Sequence, residues 1–259
     1  MYDGLHVTNK KIFRHNDVEY LEKLLIQYKG KYRNIFVIAD GVYSQEGDLA
    51  NLVEICDVSK KYGAYVVVDD AHGVGVMGKN GSGTCNHFGI EDKVDLITGT
   101  LSKGVGTIGG YISGSKQLVN YIRHFSRPSI FSASIPPPIA AAAARVIDLF
   151  SEEPEVIQKL WENTNYAHKK LTESGFDIGK TKSPITPIKI GKEITAKLIA
   201  RELLEKGIYI MPATYPAVKL NDARLRMNIS AIHTKEDIDY FCKTLSEIDN
   251  KLNFTKKSN

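Results

Sequence analysis

Two segments of the chain carry residue types that can do chemistry together: Val66-Val67-Val68-Asp69-Asp70-Ala71-His72 and, further on, Gly99-Thr100-Leu101-Ser102-Lys103-Gly104. A β-branched run ending in an acid and a histidine is followed by a lysine in a loop of small residues. Such a pair supplies a carboxylate for a pyridine nitrogen and an amine for an aldehyde, the two groups needed to hold pyridoxal phosphate. Alone, a carboxylate at a strand end usually pairs with a cation or caps a helix, and a lysine is usually a surface charge. The combination carries the reading.

These groups require a sheet to position them. Residues 34–39 read as a buried strand, 48–62 as an amphipathic helix with Leu49, Leu52, Ile55 and Cys56 on one face, and 64–68 as the next strand. That is a βαβ unit, and its near-continuous apolar strand argues for a parallel sheet covered on both sides. Further strands are expected over 94–98 and 107–113. Ligands of such sheets sit beyond the carboxyl ends of strands, where Asp69, His72 and Lys103 fall. From about Pro136 helices dominate, over 140–149 and 155–174. A smaller α/β region follows, with strands at 186–190, 208–211 and 225–229 and helices at 196–206 and from Lys235.

Two runs match G-x-G-x-x-G, Gly73 to Gly78 and Gly104 to Gly109. A dinucleotide loop should open a helix, whereas the first runs into KNGSGTCNHFG and the second into the strand-like YISGS. Gly73 to Lys79 also fits G-x-x-x-x-G-K, but Asn80 replaces the required Ser or Thr, and the acid lies immediately before the loop instead of on a separate strand. Neither nucleotide reading fits.

The two opening segments are joined by FRHND (13–17), DGVYSQEGD (40–48), SRPSIFSASIPP (126–137), ARLRMNISAIHT (223–234) and Asp3-Gly4. Taken in chain order, these seven segments resemble the α-oxoamine synthase family of pyridoxal phosphate enzymes, which includes serine palmitoyltransferase, 8-amino-7-oxononanoate synthase, glycine C-acetyltransferase and 5-aminolevulinate synthase. The spellings look closer to the first two, the sphingolipid and biotin branches. The resemblance implies an α/β, fold-type I transferase: a partial large domain with a mainly parallel sheet over 1–150, then a smaller α/β domain over 151–259.

It also implies roles. Lys103 forms the Schiff base with the cofactor and moves the α-proton, and is expected to be buried beside the cationic ring. Asp69 keeps the pyridine nitrogen protonated; His72 lies across the ring, hydrogen-bonds the phenolic oxygen and positions the amino acid. Ser44 contacts the same oxygen and Thr100 the phosphate. Ser132 and Ser134 lie in a loop that reaches the partner's phosphate in a homodimer. Arg226 holds the substrate carboxylate, a task suited to a bidentate guanidinium. Strand alternation puts Arg224 on the same face, so either arginine could serve. Asp70 should point away and is left out of the site. The implied reaction condenses serine, alanine or glycine with an acyl thioester, on coenzyme A or acyl carrier protein, with decarboxylation to an α-oxoamine.

The 259 residues, 42% hydrophobic and 25% charged, suit a globular enzyme with a sizeable core. The net charge of +4 is spread along the chain, with its one dense cluster at Lys256-Lys257, which disfavours nucleic-acid binding. No apolar run approaches the roughly 18 residues of a membrane span and no signal peptide is evident, so a cytoplasmic location is expected. Three dispersed cysteines, Cys56, Cys85 and Cys242, offer neither a zinc pattern nor a disulfide framework. Members of the resembled family carry a substantial region before the segment that Asp3-Gly4 begins. The competing expectation is therefore a fragment or split subunit, inactive without a complementary N-terminal chain. A regulatory pseudoenzyme is disfavoured because Lys103, Asp69 and His72 are all present.

Overall fold

The structure, a computed structural model, describes residues 9–255; Asp3-Gly4 and Lys256-Lys257 lie outside the described residues. These form two compact units, one running to Val42 and from Leu49 to Glu153, the other made of Tyr43–Asp48 and the chain from Pro154 onward.

In the first unit, α1 (Val18–Tyr28) is capped by Asp17, whose carboxylate accepts from the Tyr20 N–H at 2.8 Å. It precedes β1 (Phe36–Asp40), α2 (Leu52–Lys61) and β2 (Tyr65–Asp69). After α3 (Thr84–Phe88) come β3 (Leu96–Thr100), β4 (Gly110–Gly114), α4 (Lys116–Phe125), α5 (Arg127–Phe131) and α6 (Pro137–Glu152). The sheet order is β1-β2-β3-β4, parallel across the first three strands. Val66 and Val68 are fully buried, as a central strand of β-branched residues should be. The register sets Asp40 beside Asp69 and Asp69 beside Thr98, aligning the carboxyl ends.

The strand expected over 107–113 forms instead at Gly110–Gly114 and runs antiparallel to β3. Gly106 and Gly109 adopt left-handed backbone, at φ 70° and 118°. They fold 106–109 back on the lysine loop, where the Thr107 N–H donates to the Leu101 carbonyl at 2.7 Å and the Leu101 N–H to the Gly109 carbonyl at 2.9 Å.

The second unit has an antiparallel sheet in the order β5-β7-β6, from β5 (Ile185–Gly191), β6 (Met211–Ala213) and β7 (Ala223–Asn228). Helices α7 (Pro154–Glu173), α8 (Glu193–Glu205) and α9 (Lys235–Leu252) complete it around Ile188, Ile199, Leu203, Leu225 and Leu245. A capping box between Thr234 and Asp237 starts α9. The expected strand at 208–211 is displaced to Met211–Ala213. No helix among the described residues is long and apolar enough to cross a membrane.

Candidate active site

The site of the first unit is built at the carboxyl edge of its sheet. Asp69, the last residue of β2, is half-buried, and its Oδ1 accepts from the Ala71 N–H at 3.1 Å. Its neighbour Asp40 is held above the usual carboxylate range, by burial first and then by the charge of Asp69, while Lys103 opposes the shift. Asp40, Asp69 and Lys103 thus share one electrostatic environment. Tyr111, cross-strand partner of Gly99, lies where a Gly99 side chain would stand. Burial, then the charges of Asp70 and Asp69, push its phenol up to about 12.

Asp70 turns into the protein, 1% exposed, and takes hydrogen bonds from the Thr84 hydroxyl at 2.6 Å and the Thr84 N–H at 2.8 Å, tying the first turn of α3 to the end of β2. Gly41, Gly73 and Gly83 wall the carboxylate so closely that a Cβ at any of them would strike it. The turn at 70–74 is closed by Gly73 and Val74 N–H groups donating to the Asp70 carbonyl at 3.0 and 3.2 Å. This turn carries the half-buried His72.

The lysine loop alternates. Leu101 and Val105 are buried in a cluster with Ala143, Val74, Tyr111, Ile135, Val146 and Phe150, while Ser102, Lys103 and Gly104 between them face outward. Lys103 is therefore exposed, contrary to the expected burial, because its two flanking anchors take the inward positions. It makes no hydrogen bond or ion pair among the described residues. The hydroxyls of Thr100 and Ser102 are 2.7 Å apart, and the Thr100 hydroxyl also donates to the Gly109 carbonyl at 3.2 Å.

The glycine-rich runs serve packing. A Cβ on Gly104 would strike the Val74 carbonyl and lie 3.2 Å from the Gly75 Cα; one on Gly81 would lie 2.9 Å from the same Gly75 Cα. Backbone thus stacks on backbone, fixing the turn of His72 against the loop of Lys103. Ile135 packs over Gly109, tying 132–136 to the same loop, but the hydroxyls of Ser132 and Ser134 are exposed, and that of Ser132 turns back to the Pro128 carbonyl.

In the second unit, the shared face of Arg224 and Arg226 resolves into two tasks. Arg224 is fully buried, and its five N–H groups are matched by five hydrogen bonds, to the Asp222 carbonyl and carboxylate, the Gln45 carbonyl and the Glu46 carboxylate. Nothing remains for a ligand, so Arg224 drops out as a carboxylate anchor. Arg226 is half-buried: its Nε donates to the Ser44 carbonyl at 2.6 Å and its Nη1 to Asn228 Oδ1 at 2.7 Å, leaving Nη2 uncommitted. Burial draws the Arg226 pKa below its usual value.

Sequence reading missed Glu46 and Tyr111, although both lie inside the quoted motifs. For pyridoxal phosphate, the donor set fits. An unpartnered amine at Lys103 suits an aldehyde, a sheet-edge carboxylate at Asp69 suits a basic ring nitrogen, and the paired hydroxyls at Thr100 and Ser102 suit a phosphate.

A sheet whose carboxyl edge carries this acid and this lysine loop defines the pyridoxal phosphate-dependent transferase fold. Serine palmitoyltransferase from S. paucimobilis, solved with a bound PLP-myriocin aldimine, matches it with a TM-score of 0.88 and 34% identity over 93% of this chain and 61% of that one. Residues 7–245 match the aminotransferase class I and II family, to which the chain belongs. Among curated relatives, 8-amino-7-oxononanoate synthase of Symbiobacterium thermophilum is 42% identical over 252 residues, covering 96% of this chain and 64% of the relative. 8-Amino-7-oxononanoate synthase 1 of Bacillus velezensis is 44% identical over 239 residues, covering 92% and 61%. Both names belong to the family that the motifs resemble. The chain spans less than two thirds of the length of these relatives.

Proposed function

We propose that the protein is a pyridoxal phosphate-dependent C-acyltransferase that condenses a small amino acid with an acyl thioester, releasing the thiol and carbon dioxide and forming an α-oxoamine. The observation that carries this reading is the exposed, uncommitted Lys103, held between the buried anchors Leu101 and Val105 and braced through Gly104 against the turn of His72. On this reading, the unit ending at Glu153 is the large, cofactor-binding domain and the chain from Pro154 the small domain.

When bound, the cofactor supplies an electron sink for a carbanion at the amino acid's α-carbon. Lys103 Nζ takes the α-proton and later returns one. The Asp69 carboxylate holds a proton at the ring nitrogen, and His72 and Ser44 donate to the phenolic oxygen. Thr100 holds the phosphate, as do Ser132 and Ser134 toward a second copy of the chain. Arg226 binds the substrate carboxylate through Nη2. Serine, alanine and glycine are the candidate amino acids, and coenzyme A or acyl carrier protein the thiol.

A cytoplasmic homodimer suits this chemistry. The exposed Tyr121, Phe125, Ile130 and Phe131 of α4 and α5 support an apolar surface for a second copy. The test is the visible spectrum of the purified chain with pyridoxal phosphate, before and after borohydride. A reducible band that Lys103→Ala abolishes and that small amino acids perturb is expected. An identical spectrum in Lys103→Ala refutes the assignment.

A further inference from the structure

We infer that Glu46 is a positioning residue that sets the orientation of Arg226 by clamping the turn whose carbonyl holds it. The inference rests on the proposed reading of Arg226 only for its consequence in substrate binding.

Ser44 lies in a turn closed by the Tyr43 N–H donating to the Asp48 carbonyl at 3.0 Å and the Gly47 N–H to the Tyr43 carbonyl at 2.8 Å. The return arm of this turn is fastened to the segment that leads into β5. The Gly47 carbonyl accepts from the Lys182 N–H at 3.0 Å and the Thr181 hydroxyl at 3.2 Å. Gly47 has φ +68°, and a Cβ there would strike the Ile185 carbonyl and the Thr181 hydroxyl. Between Ser44 and Gly47, the Glu46 carboxylate binds Arg224 through one oxygen and Lys189 Nζ through the other at 3.1 Å. Burial alone would push the Glu46 carboxyl up, but these two cations outweigh it and hold it below the usual range. Three other donors of Arg224 are fixed on Asp222 and one on the Gln45 carbonyl of the turn itself, so the guanidinium is a rigid post to which Glu46 supplies the charged tie.

The consequence falls on Arg226, two residues along β7 from the post. Two contacts orient its guanidinium, Asn228 from its own strand and the Ser44 carbonyl from the clamped turn. Released from Glu46, the turn loses the carboxylate that ties it to Arg224 and Lys189, and the Gln45 carbonyl alone still joins it to Arg224, so the Ser44 carbonyl is held less firmly. Nη2 of Arg226 then loses its aim while the strand that bears it stays intact.

The experiment is side-chain NMR of the full chain labelled with ¹⁵N-arginine, the Arg226 Nε–H signal being assigned by its loss in Arg226→Lys. In Glu46→Gln, hydrogen exchange at Arg226 Nε–H should accelerate roughly tenfold, the factor a charge-assisted hydrogen bond commonly carries. The backbone amides of β7 should keep their protection, and in Glu46→Asp, which keeps a carboxylate, Arg226 Nε–H should retain most of its protection. Since Glu46→Gln leaves Arg224 buried with one counterion fewer, Glu46→Met combined with Arg224→Met removes the tie without that charge and should show the same acceleration. Unchanged Arg226 exchange in both variants overturns the inference, as does loss of β7 protection in step with it. Binding of a small amino acid to the protein loaded with pyridoxal phosphate gives a separate readout. Faster Nε–H exchange with unchanged amino-acid affinity upholds the clamp and refutes Arg226 as the carboxylate anchor.

Discussion

Asp70→Asn should make the protein's stability less sensitive to pH, by an amount that follows from the burial of one carboxyl. Asp70 is 1% exposed, and burial, only partly offset by its two hydrogen bonds from Thr84, raises its pKa from 3.8 to about 6. Between about pH 4 and pH 6 the folded chain therefore binds more protons at this position than the unfolded chain. Stability attributable to Asp70 is highest below pH 4, falls as pH rises through the window and levels off above about pH 6. A shift of roughly two units at about 1.4 kcal/mol each gives a fall of about 3 kcal/mol. Asparagine has nearly the same shape and can accept from the Thr84 N–H while its amide donates to the Thr84 hydroxyl, so packing inside the wall of Gly41, Gly73 and Gly83 is kept. Urea unfolding followed by far-ultraviolet circular dichroism at several pH values, on both proteins, measures the difference. The gap should move in favour of Asp70→Asn by about 3 kcal/mol from pH 3 to pH 7. Parallel stability curves across that range would refute the argument, since they would mean that the carboxyl titrates alike folded and unfolded.

Three further outcomes test the packing and the site. Gly104→Ala drives a methyl into the Val74 carbonyl, where only backbone can yield; it should cost about 2–3 kcal/mol in a thermal scan and weaken pyridoxal phosphate binding, read from the visible band. Gly47→Ala combines a left-handed backbone with a collision against the Ile185 carbonyl, and should lower the melting temperature more than Gly30→Ala, where φ is also positive but space is open. Arg226→Lys replaces a planar fork by a point charge; it should weaken amino-acid binding roughly tenfold to a hundredfold in a spectral titration, with the cofactor band retained.

The unbroken β-branched run Val66 to Val68 and the acid that ends it announced β2 and the place of Asp69 at its end, because strand propensity and a strand's carboxyl end are local properties of the chain. The helix α4 went unread: Leu118, Tyr121, Ile122 and Phe125 recur at helical spacing, but the helix buries none of them and passes for a polar stretch with scattered apolar residues. Exposure of Lys103 was not legible: its neighbours two positions away on each side take the core, and the lysine's own spelling does not record this. Nor could spacing decide between Arg224 and Arg226. Both project from one face of β7, and the residue that occupies one of them, Glu46, lies 178 positions earlier. The two glycine patterns were set aside as nucleotide loops on local grounds, but their role emerged only when Gly75 was found stacked between Gly81 and Gly104.

The six residues Tyr43–Asp48 belong to the second unit although β1 and α2 on either side of them belong to the first. The first unit can collapse around its own strands as soon as they are made, yet this short turn must wait. Its counterion Arg224 is synthesised 178 residues later, and closing a loop of that length costs roughly 5 kcal/mol of chain entropy. Until β5 and β7 arrive, Glu46 lacks both of its cations, Lys189 and Arg224, and once β7 is made, Arg224 has only the Asp222 carboxylate as counterion until the turn docks. The last step in building the second unit is thus the capture of an early-synthesised segment by a late one, so slow refolding of this protein should track the Glu46 to Arg224 closure and not the assembly of either sheet.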